Sequence, residues 1–235
     1  MIRIRGLTVQ FGAVRPLDAL DADLSTPIVG LVGPNGAGKT TLLNVLSGFV
    51  RAVAGSVELD GIDLLRLSPV ARVRQGLRRS FQTEQIADDL SVWDNVLALA
   101  DHVQRRASSA GDEVERALHY VGLAPVAAAP GAVLNLFERR MVELARTLVG
   151  VPRLILMDEP GAGLNDDETA LLRQRILGIP QAFDAQVLLI DHDVELIAVT
   201  CTETLVLDFG KRLALGPTRA VLDDPAVRAA YLGVA

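Results

Sequence analysis

The chain has 235 residues, of which 50% are hydrophobic and 22% are charged, and its formal net charge is −6. This composition is typical of a globular protein and excludes a largely disordered chain. The acidic balance argues against nucleic acid as a main partner, because phosphate binding favours a basic surface. Cys201 is the only cysteine, which excludes an intrachain disulfide and a cysteine metal cluster and fits a reducing, cytoplasmic setting.

The sequence predicts neither a zinc site nor a membrane-spanning helix. The histidines at 102, 119 and 192 are too scattered to predict a zinc site. No apolar stretch approaches the roughly 20 residues that a bilayer-spanning helix needs, and the first twelve residues lack the apolar run of a signal peptide. We therefore expect any membrane-spanning part of the system to lie in another chain.

Strand patterns alternate with helix patterns over most of the chain, which predicts a mostly parallel sheet covered on both faces. In chain order, strands are predicted at residues 2–9, 28–32, 56–59, 77–81, 153–157, 187–190 and 204–207. A helix is predicted at 39–47 with Gly48 as its C-terminal cap, and a second begins after Ser68 and ends at Gly76.

The pattern changes between about residues 83 and 147, which predicts a helical insert. Ser91 begins a helix with Asp94 three residues later, as in a capping box. A second helix is bracketed by Asp112 and Gly122. The apolar face of a third is marked by Met141, Leu144, Ala145 and Leu148.

The strongest motif is GPNGAGKTT at residues 33–41, which matches the P-loop pattern G-x-x-x-x-G-K-[ST]. Glycines allow backbone N–H groups to surround phosphate oxygens, and the loop opens a helix whose N-terminus favours an anion. Lys39 is expected to reach the β- and γ-phosphates and the Thr40 hydroxyl to bind Mg²⁺. The predicted phosphate-binding residues are Gly33, Pro34, Asn35, Gly36, Ala37, Gly38, Lys39, Thr40 and Thr41.

A second motif is the apolar run 154–157 followed by Asp158 and Glu159. In P-loop NTPases such an aspartate helps to hold Mg²⁺, and a neighbouring carboxylate can polarise the attacking water. Gln82 and His192 each follow a predicted strand. Because ligands gather at the carboxyl ends of parallel strands, Gly33 and these four residues are expected at that edge of the sheet, and a γ-phosphate would be within reach of several of them.

This order of P-loop, Gln82, Asp158-Glu159 and His192, with a helical insert before Asp158, resembles the ATPase subunits of ABC transporters over essentially the whole chain. The resemblance implies one ABC ATPase domain over residues 1–235. Its fold would be an α/β P-loop NTPase fold with a mostly parallel core sheet, an N-terminal antiparallel β subdomain and a helical subdomain at approximately 83–147. It also implies ATP and Mg²⁺ as cofactors.

The resemblance assigns roles to individual residues. Phe11 would stack on adenine, although an aromatic at this position could equally be a plain core residue. Gln82, Glu159 and His192 would be catalytic, and Gln82 would also join Thr40 and Asp158 at the metal. Residues 162–165 (AGLN) would be the D-loop, which lies at the dimer interface in the family.

Finer features are similar to the ATPases of branched-chain amino acid importers. These are LRRSFQ at 77–82, GAGLNDDE at 161–168, IDHDVELI at 190–197 and DDPAVRAAYLG at 223–233. The resemblance implies permease subunits in the membrane as partners, an extracytoplasmic solute-binding protein acting indirectly, and a location on the inner face of the cell membrane.

One departure from the family is the signature motif, usually Leu-Ser-Gly-Gly-Gln, which aligns with residues 134–138 (LNLFE). Asn135 replaces serine, Phe137 replaces a glycine and Glu138 replaces glutamine. Since this motif contacts the γ-phosphate of the opposite subunit, we expect a heterodimer with a second, intact ATPase subunit, with a homodimer as the alternative.

Other function classes remain open from the sequence. The chain could be a nucleotide-gated interaction module that hydrolyses little ATP because of its degenerate signature. An ABC protein that acts on DNA or ribosomes is disfavoured, because the chain has neither a coiled-coil insert nor a second ATPase domain. A GTPase is disfavoured by the absence of an Asn-Lys-x-Asp motif.

Overall fold

The computed structural model of the protein describes residues 1–83, 85–104 and 108–232. Two compact units form, one from Met1–Arg72 together with the chain from Gln186 onward, and one from Val73–Ala185. In chain order the strands are β1 (Ile2–Phe11), β2 (Val14–Leu24), β3 (Ile28–Val32), β4 (Ala54–Leu59), β5 (Ile62–Asp63), β6 (Leu77–Arg79), β7 (Leu154–Asp158), β8 (Gln186–Ile190), β9 (Glu203–Asp208) and β10 (Lys211–Pro217).

The helices follow the same order along the chain. They are α1 (Lys39–Ser47), α2 (Pro69–Arg74), α3 (Val92–Ala100), α4 (Ala110–Val121), α5 (Leu136–Leu148), α6 (Asp166–Phe183), α7 (Val194–Thr200), α8 (Thr218–Leu222) and α9 (Pro225–Val227). Short 3-10 turns occupy Leu64–Arg66, Ala124–Val126 and Gly131–Val133, and a π-helical turn occupies Arg228–Leu232. In the part of the chain that the structure describes, no helix has the length and apolar character needed to cross a bilayer.

The first unit contains an antiparallel sheet in the order β2-β1-β4-β5. Strand β2 is absent from the predicted strands, although its buried residues Leu20, Ala22 and Leu24 alternate with exposed aspartates as a half-buried strand requires. A bulge at Ala19, whose φ is 50°, shifts the register between Leu17 and Leu20. The bulge therefore interrupts the two-residue period only at the start of the strand.

The other sheet strands of the first unit run in the order β10-β9-β3-β8. Strand β3 pairs in parallel with both β8 and β9, and β10 returns antiparallel to β9 through a hairpin. All five residues of β3 are buried, as the apolar run predicted. The expected parallel arrangement is confirmed, and it directs β3 and β8 toward loops at their carboxyl ends.

Helix α1 follows β3 and spans the predicted residues. It ends at Gly48, whose φ of 86° lies in the left-handed region that glycine adopts without strain. The buried guanidinium of Arg72 donates to the carbonyl oxygens of Val45 and Leu46, the latter at 2.9 Å, and burial lowers its pKa. A cation therefore lies at the negative end of the P-loop helix.

The second unit contains the parallel pair β6 and β7 and the helices α3 to α6. Ser91 caps α3 as predicted, accepting a hydrogen bond from the Asp94 N–H at 3.0 Å. Helix α4 begins earlier than predicted, because its N-cap is Ser109, three residues before Asp112, and Asp112 is the third helical residue of a capping box. The four predicted apolar residues of α5 are buried, so its predicted face is confirmed.

Candidate active site

The P-loop in the first unit connects β3 to α1 through glycines in left-handed conformations. Gly33 and Gly38 have φ values of 148° and 106°. A Cβ atom on Gly33 would lie 2.1 Å from the Leu207 carbonyl oxygen, and one on Gly38 would lie 2.2 Å from the Pro16 carbonyl oxygen. Both glycines are therefore required sterically, and the loop can present its backbone N–H groups to an anion at the helix N-terminus.

Lys39 is buried at the start of α1, with 8% of its surface exposed. Its ammonium donates to the carbonyl oxygens of Gly33 at 2.6 Å and Pro34 at 3.1 Å. These contacts hold the cation over the loop that the sequence assigns to phosphate. The Thr40 hydroxyl lies on the exposed side of the same first turn.

The β9–β10 hairpin supports this loop from behind. Its Gly210 N–H donates to the Ala37 carbonyl oxygen at 3.0 Å, and the Asp18 N–H donates to the Gly210 carbonyl oxygen at 2.9 Å. The P-loop is therefore joined by backbone hydrogen bonds to the β9–β10 hairpin, which is itself joined to β2.

Phe11 ends β1 and 55% of its surface is exposed. The alternative that it is a core residue is wrong. His192 is also exposed, in the turn between β8 and α7. The turn is closed by the Asp193 N–H, which donates to Asp191 Oδ1 at 3.0 Å, while the Asp193 side chain caps α7. This leaves the imidazole at the carboxyl end of β8, where the sequence predicts it.

In the second unit, Asp158 is the last residue of β7 and is 8% exposed. Its Oδ2 lies 3.3 Å from a guanidinium nitrogen of Arg79, and the guanidinium lies 5.0 Å from the centre of the Phe81 ring. Burial lowers the pKa of Arg79, and the Asp158 charge opposes that shift. A desolvated carboxylate at a strand end is a hard oxygen ligand of the type that Mg²⁺ prefers.

No cluster of three or more metal-ligating His, Cys, Asp or Glu side chains occurs among the described residues. Mg²⁺ in nucleotide sites is usually bound by one or two protein oxygens together with phosphates and waters. In the second unit the amide oxygen of Gln82 and the carboxylate of Asp158 are oxygen groups of this type, and in the first unit the Thr40 hydroxyl is another.

Glu159 follows β7 with a φ of 52°, an unfavourable backbone conformation for a residue with a side chain. The Gln82 amide donates to its Oε2 from Nε2 at 2.9 Å. The structure thus brings together two of the residues predicted to be catalytic. The strand predicted at 77–81 ends at Arg79, so Gln82 lies three residues beyond β6 instead of directly after it.

The degenerate signature has a clear local structure. Asn135 is the N-cap of α5, and its side chain accepts from the Glu138 N–H at 2.9 Å. The Glu138 carboxylate accepts from the Asn135 N–H at 2.9 Å, which completes a capping box. Two of the four departures from the family motif, Asn135 and Glu138, are therefore compatible with a well-formed helix N-terminus. The other two are Leu136 and Phe137, which stand where the family has glycines. Phe137 is partly buried.

The predicted D-loop also ends in a cap. Asn165 accepts from the Glu168 N–H at 3.0 Å and begins α6, after Gly163 has turned the chain with a φ of 82°. The sequence patterns did not indicate three buried arginine side chains in this unit, Arg78, Arg79 and Arg140. The only signal for them is the position of an arginine within a buried strand or on the apolar side of a helix.

Comparison with known proteins places these features in a family. A family model described as ABC transporter matches residues 22–162. The chain is 31% identical over 252 aligned residues to the high-affinity branched-chain amino acid transport ATP-binding protein BraF of Pseudomonas aeruginosa, covering 100% of this chain and 98% of that protein.

A second relative is the lipopolysaccharide export system ATP-binding protein LptB of Acidithiobacillus ferridurans, with 37% identity over 206 residues, 88% of this chain and 85% of that protein. The crystal structure of MJ1267, an ATP-binding cassette of an ABC transporter in its ADP conformation, matches with a TM-score of 0.88 at 24% identity over 100% of this chain and 99% of that one. It confirms the predicted α/β P-loop fold. The chain belongs to the ABC transporter family and is one of its nucleotide-binding ATPase subunits.

Proposed function

We propose that this subunit powers the uptake of a small solute, and that the solute is a branched-chain or other amino acid. The observation that carries the proposal is the full-length similarity to BraF, a branched-chain amino acid transport protein. The similarity to the export protein LptB covers less of the chain. ATP bound with Mg²⁺ is the proposed energy source.

The proposed roles of the first-unit residues are supported by the motif positions that they occupy. The P-loop N–H groups and Lys39 bind the phosphates, and the exposed ring of Phe11 stacks on adenine. His192 contacts the γ-phosphate from the turn after β8. Thr40 is the proposed metal ligand of the first unit, and Gln82 and Asp158 are the proposed metal ligands of the second.

Glu159 is the proposed general base. Its carboxylate accepts a proton from water as the water oxygen bonds to the γ-phosphorus and the bond to the β-phosphate oxygen breaks, giving ADP and phosphate. When bound, Mg²⁺ supplies positive charge to the phosphate oxygens. The hydrogen bond from Gln82 orients the Glu159 carboxylate.

The proposed partners are permease subunits in the membrane and a second ATPase subunit, and a solute-binding protein would act indirectly from outside. The chain would work in the cytoplasm, on the inner face of the cell membrane. We favour a heterodimer because Phe137 occupies a position where the family has glycine and close backbone approach to phosphate is needed. The net charge of −6 argues against a role in nucleic acid binding.

A nucleotide-gated interaction module is the second candidate, and the degenerate signature is the observation that favours it. Such a module would bind ATP with little turnover even when assembled with its partners.

The test compares cells that lack the chain with cells that express the wild type or Glu159→Gln. ATP turnover of the purified assembly and uptake of labelled leucine are measured together. We expect both to fall about 10²–10⁴-fold in Glu159→Gln while ATP binding persists, because only the base is lost. Wild-type turnover in this variant would refute the role of Glu159. Normal leucine uptake without the chain would refute the proposed solute.

A further inference from the structure

Arg140, on helix α5, is buried with 7% of its surface exposed. One terminal nitrogen of its guanidinium donates to the Gln82 carbonyl oxygen at 3.2 Å, and the other donates to the Ala162 carbonyl oxygen at 3.4 Å. A guanidinium is planar and rigid, so two bonds from its two ends set the distance between the groups that accept them.

The two carbonyl groups belong to the two segments that carry the Gln82–Glu159 pair. One is the backbone carbonyl of Gln82 itself. The other belongs to Ala162, whose N–H donates to the Glu159 carbonyl oxygen at 3.2 Å and so closes a turn that begins at Glu159. A single buried side chain therefore spans the backbones behind both members of the hydrogen-bonded pair.

Two further charged residues of α5 support this arrangement. Glu143 lies 3.5 Å from Arg140 and compensates its burial, and its other oxygen accepts from the Gln85 N–H at 3.1 Å. Arg146 donates to the Gln85 carbonyl oxygen. Since both backbone groups of Gln85 bond to α5, the chain that follows Gln82 is held on the same helix.

The neighbouring Arg139 is bonded to other groups in the described part of the chain. Its guanidinium pairs with Asp88 at 2.8 Å and donates to the Gly131 carbonyl oxygen at 3.0 Å. It lies one residue away on the same helix and also makes a charged and a carbonyl contact. A substitution of Arg139 is therefore the matched control: it removes an arginine from α5 but leaves the Arg140 contacts in place.

We propose that Arg140 is a positioning residue for hydrolysis, which sets the placement of the Gln82 amide against the Glu159 carboxylate. Glu159 holds an unfavourable backbone conformation, with a φ of 52°, and such a conformation persists only where the surroundings maintain it. Arg140 supplies part of that support through the Ala162 carbonyl. The inference rests on the proposed role of Glu159 as the base.

The experiment uses Arg140→Lys in the full chain, alone and with the subunits that co-purify with it. Lysine keeps the charge beside Glu143 but cannot bridge two carbonyl groups as a fork does. We expect kcat to fall about 10- to 100-fold, since small displacements of catalytic groups carry penalties of this order. The Kd for ATP should stay within about twofold, because the phosphate-binding loop is untouched. Arg139→Lys should leave kcat near the wild-type value.

A second arm repeats Arg140→Lys in a Glu159→Gln background. If Arg140 acts through Glu159, the kcat loss disappears there, whereas a purely structural role gives the same fractional loss in both backgrounds. That additive result, or a wild-type kcat for Arg140→Lys, would overturn the inference. If Arg140→Lys does not fold, Arg140→Met is tested in the same two backgrounds. A folded Arg140→Met variant with wild-type turnover would count against the inference. A normal kcat for Glu159→Gln would instead overturn the proposed function.

Discussion

Restoring family residues in the degenerate signature gives the sharpest prediction, because the effect on stability and the effect on ATP hydrolysis can be measured separately. The perturbation is the triple variant Asn135→Ser, Phe137→Gly and Glu138→Gln. Serine is as good an N-cap as asparagine, and glutamine can replace glutamate in a capping box. The capping changes alone should therefore alter the free energy of unfolding by no more than about 0.5 kcal/mol.

Phe137→Gly accounts for most of the expected stability loss. Glycine in the first turn of α5 costs at most about 1 kcal/mol through helix propensity. Loss of a partly buried phenyl ring costs about 1–1.5 kcal/mol, half the value for full burial. The sum is about 2–2.5 kcal/mol, which should lower the thermal midpoint by roughly 4–10 °C in a chain of this size.

The assay is steady-state ATPase activity of the isolated chain, with the thermal midpoint measured on the same samples. The hypothesis of an asymmetric pair predicts a slow wild type and a triple variant that is faster by up to about 10²-fold, the loss that accompanies removal of one oxyanion donor. The Asn135→Ser, Glu138→Gln double variant is the matched control, with unchanged stability. A fast wild-type chain and a triple variant that is no faster would refute the reasoning.

Three further predictions concern the first unit. Lys39→Ala should abolish ATP binding, measured by calorimetry, without unfolding the chain, and unchanged affinity in a folded variant would contradict the site assignment. Phe11→Ala should weaken ATP and GTP alike by about 1–3 kcal/mol, because stacking on a base is tolerant of its identity, and the exposure of the ring implies little loss of stability. Arg72→Met should lower the free energy of unfolding by about 2–4 kcal/mol, because two helix-end carbonyls lose a charged donor. Chemical denaturation measures it, with exposed Arg74→Met as the control, and equal midpoints for the two variants would contradict the capping role.

The sequence by itself determined the parts of this protein that depend on interactions between residues a few positions apart. Strand β3 and helix α1 have the predicted bounds, because an apolar run, a glycine-rich loop and a glycine cap act within a few residues of one another. The motif order also predicted the family. Ser91 could be predicted as a cap for the same reason, because its side chain accepts a hydrogen bond from a backbone N–H only three residues further along the chain.

Only the tertiary structure decided the features that join distant residues. Arg140 contacts Gln82 across 58 positions, and Arg79 contacts Asp158 across 79, and a single sequence has no period that marks such a pair. Whether Phe11 lies in the core or at the surface was also decided by the tertiary structure, because the sequence of a strand end with an aromatic residue is compatible with both. Burial of a cation is favourable only where acceptors converge on it, and the folded arrangement of α5 and its neighbouring loops supplies those acceptors.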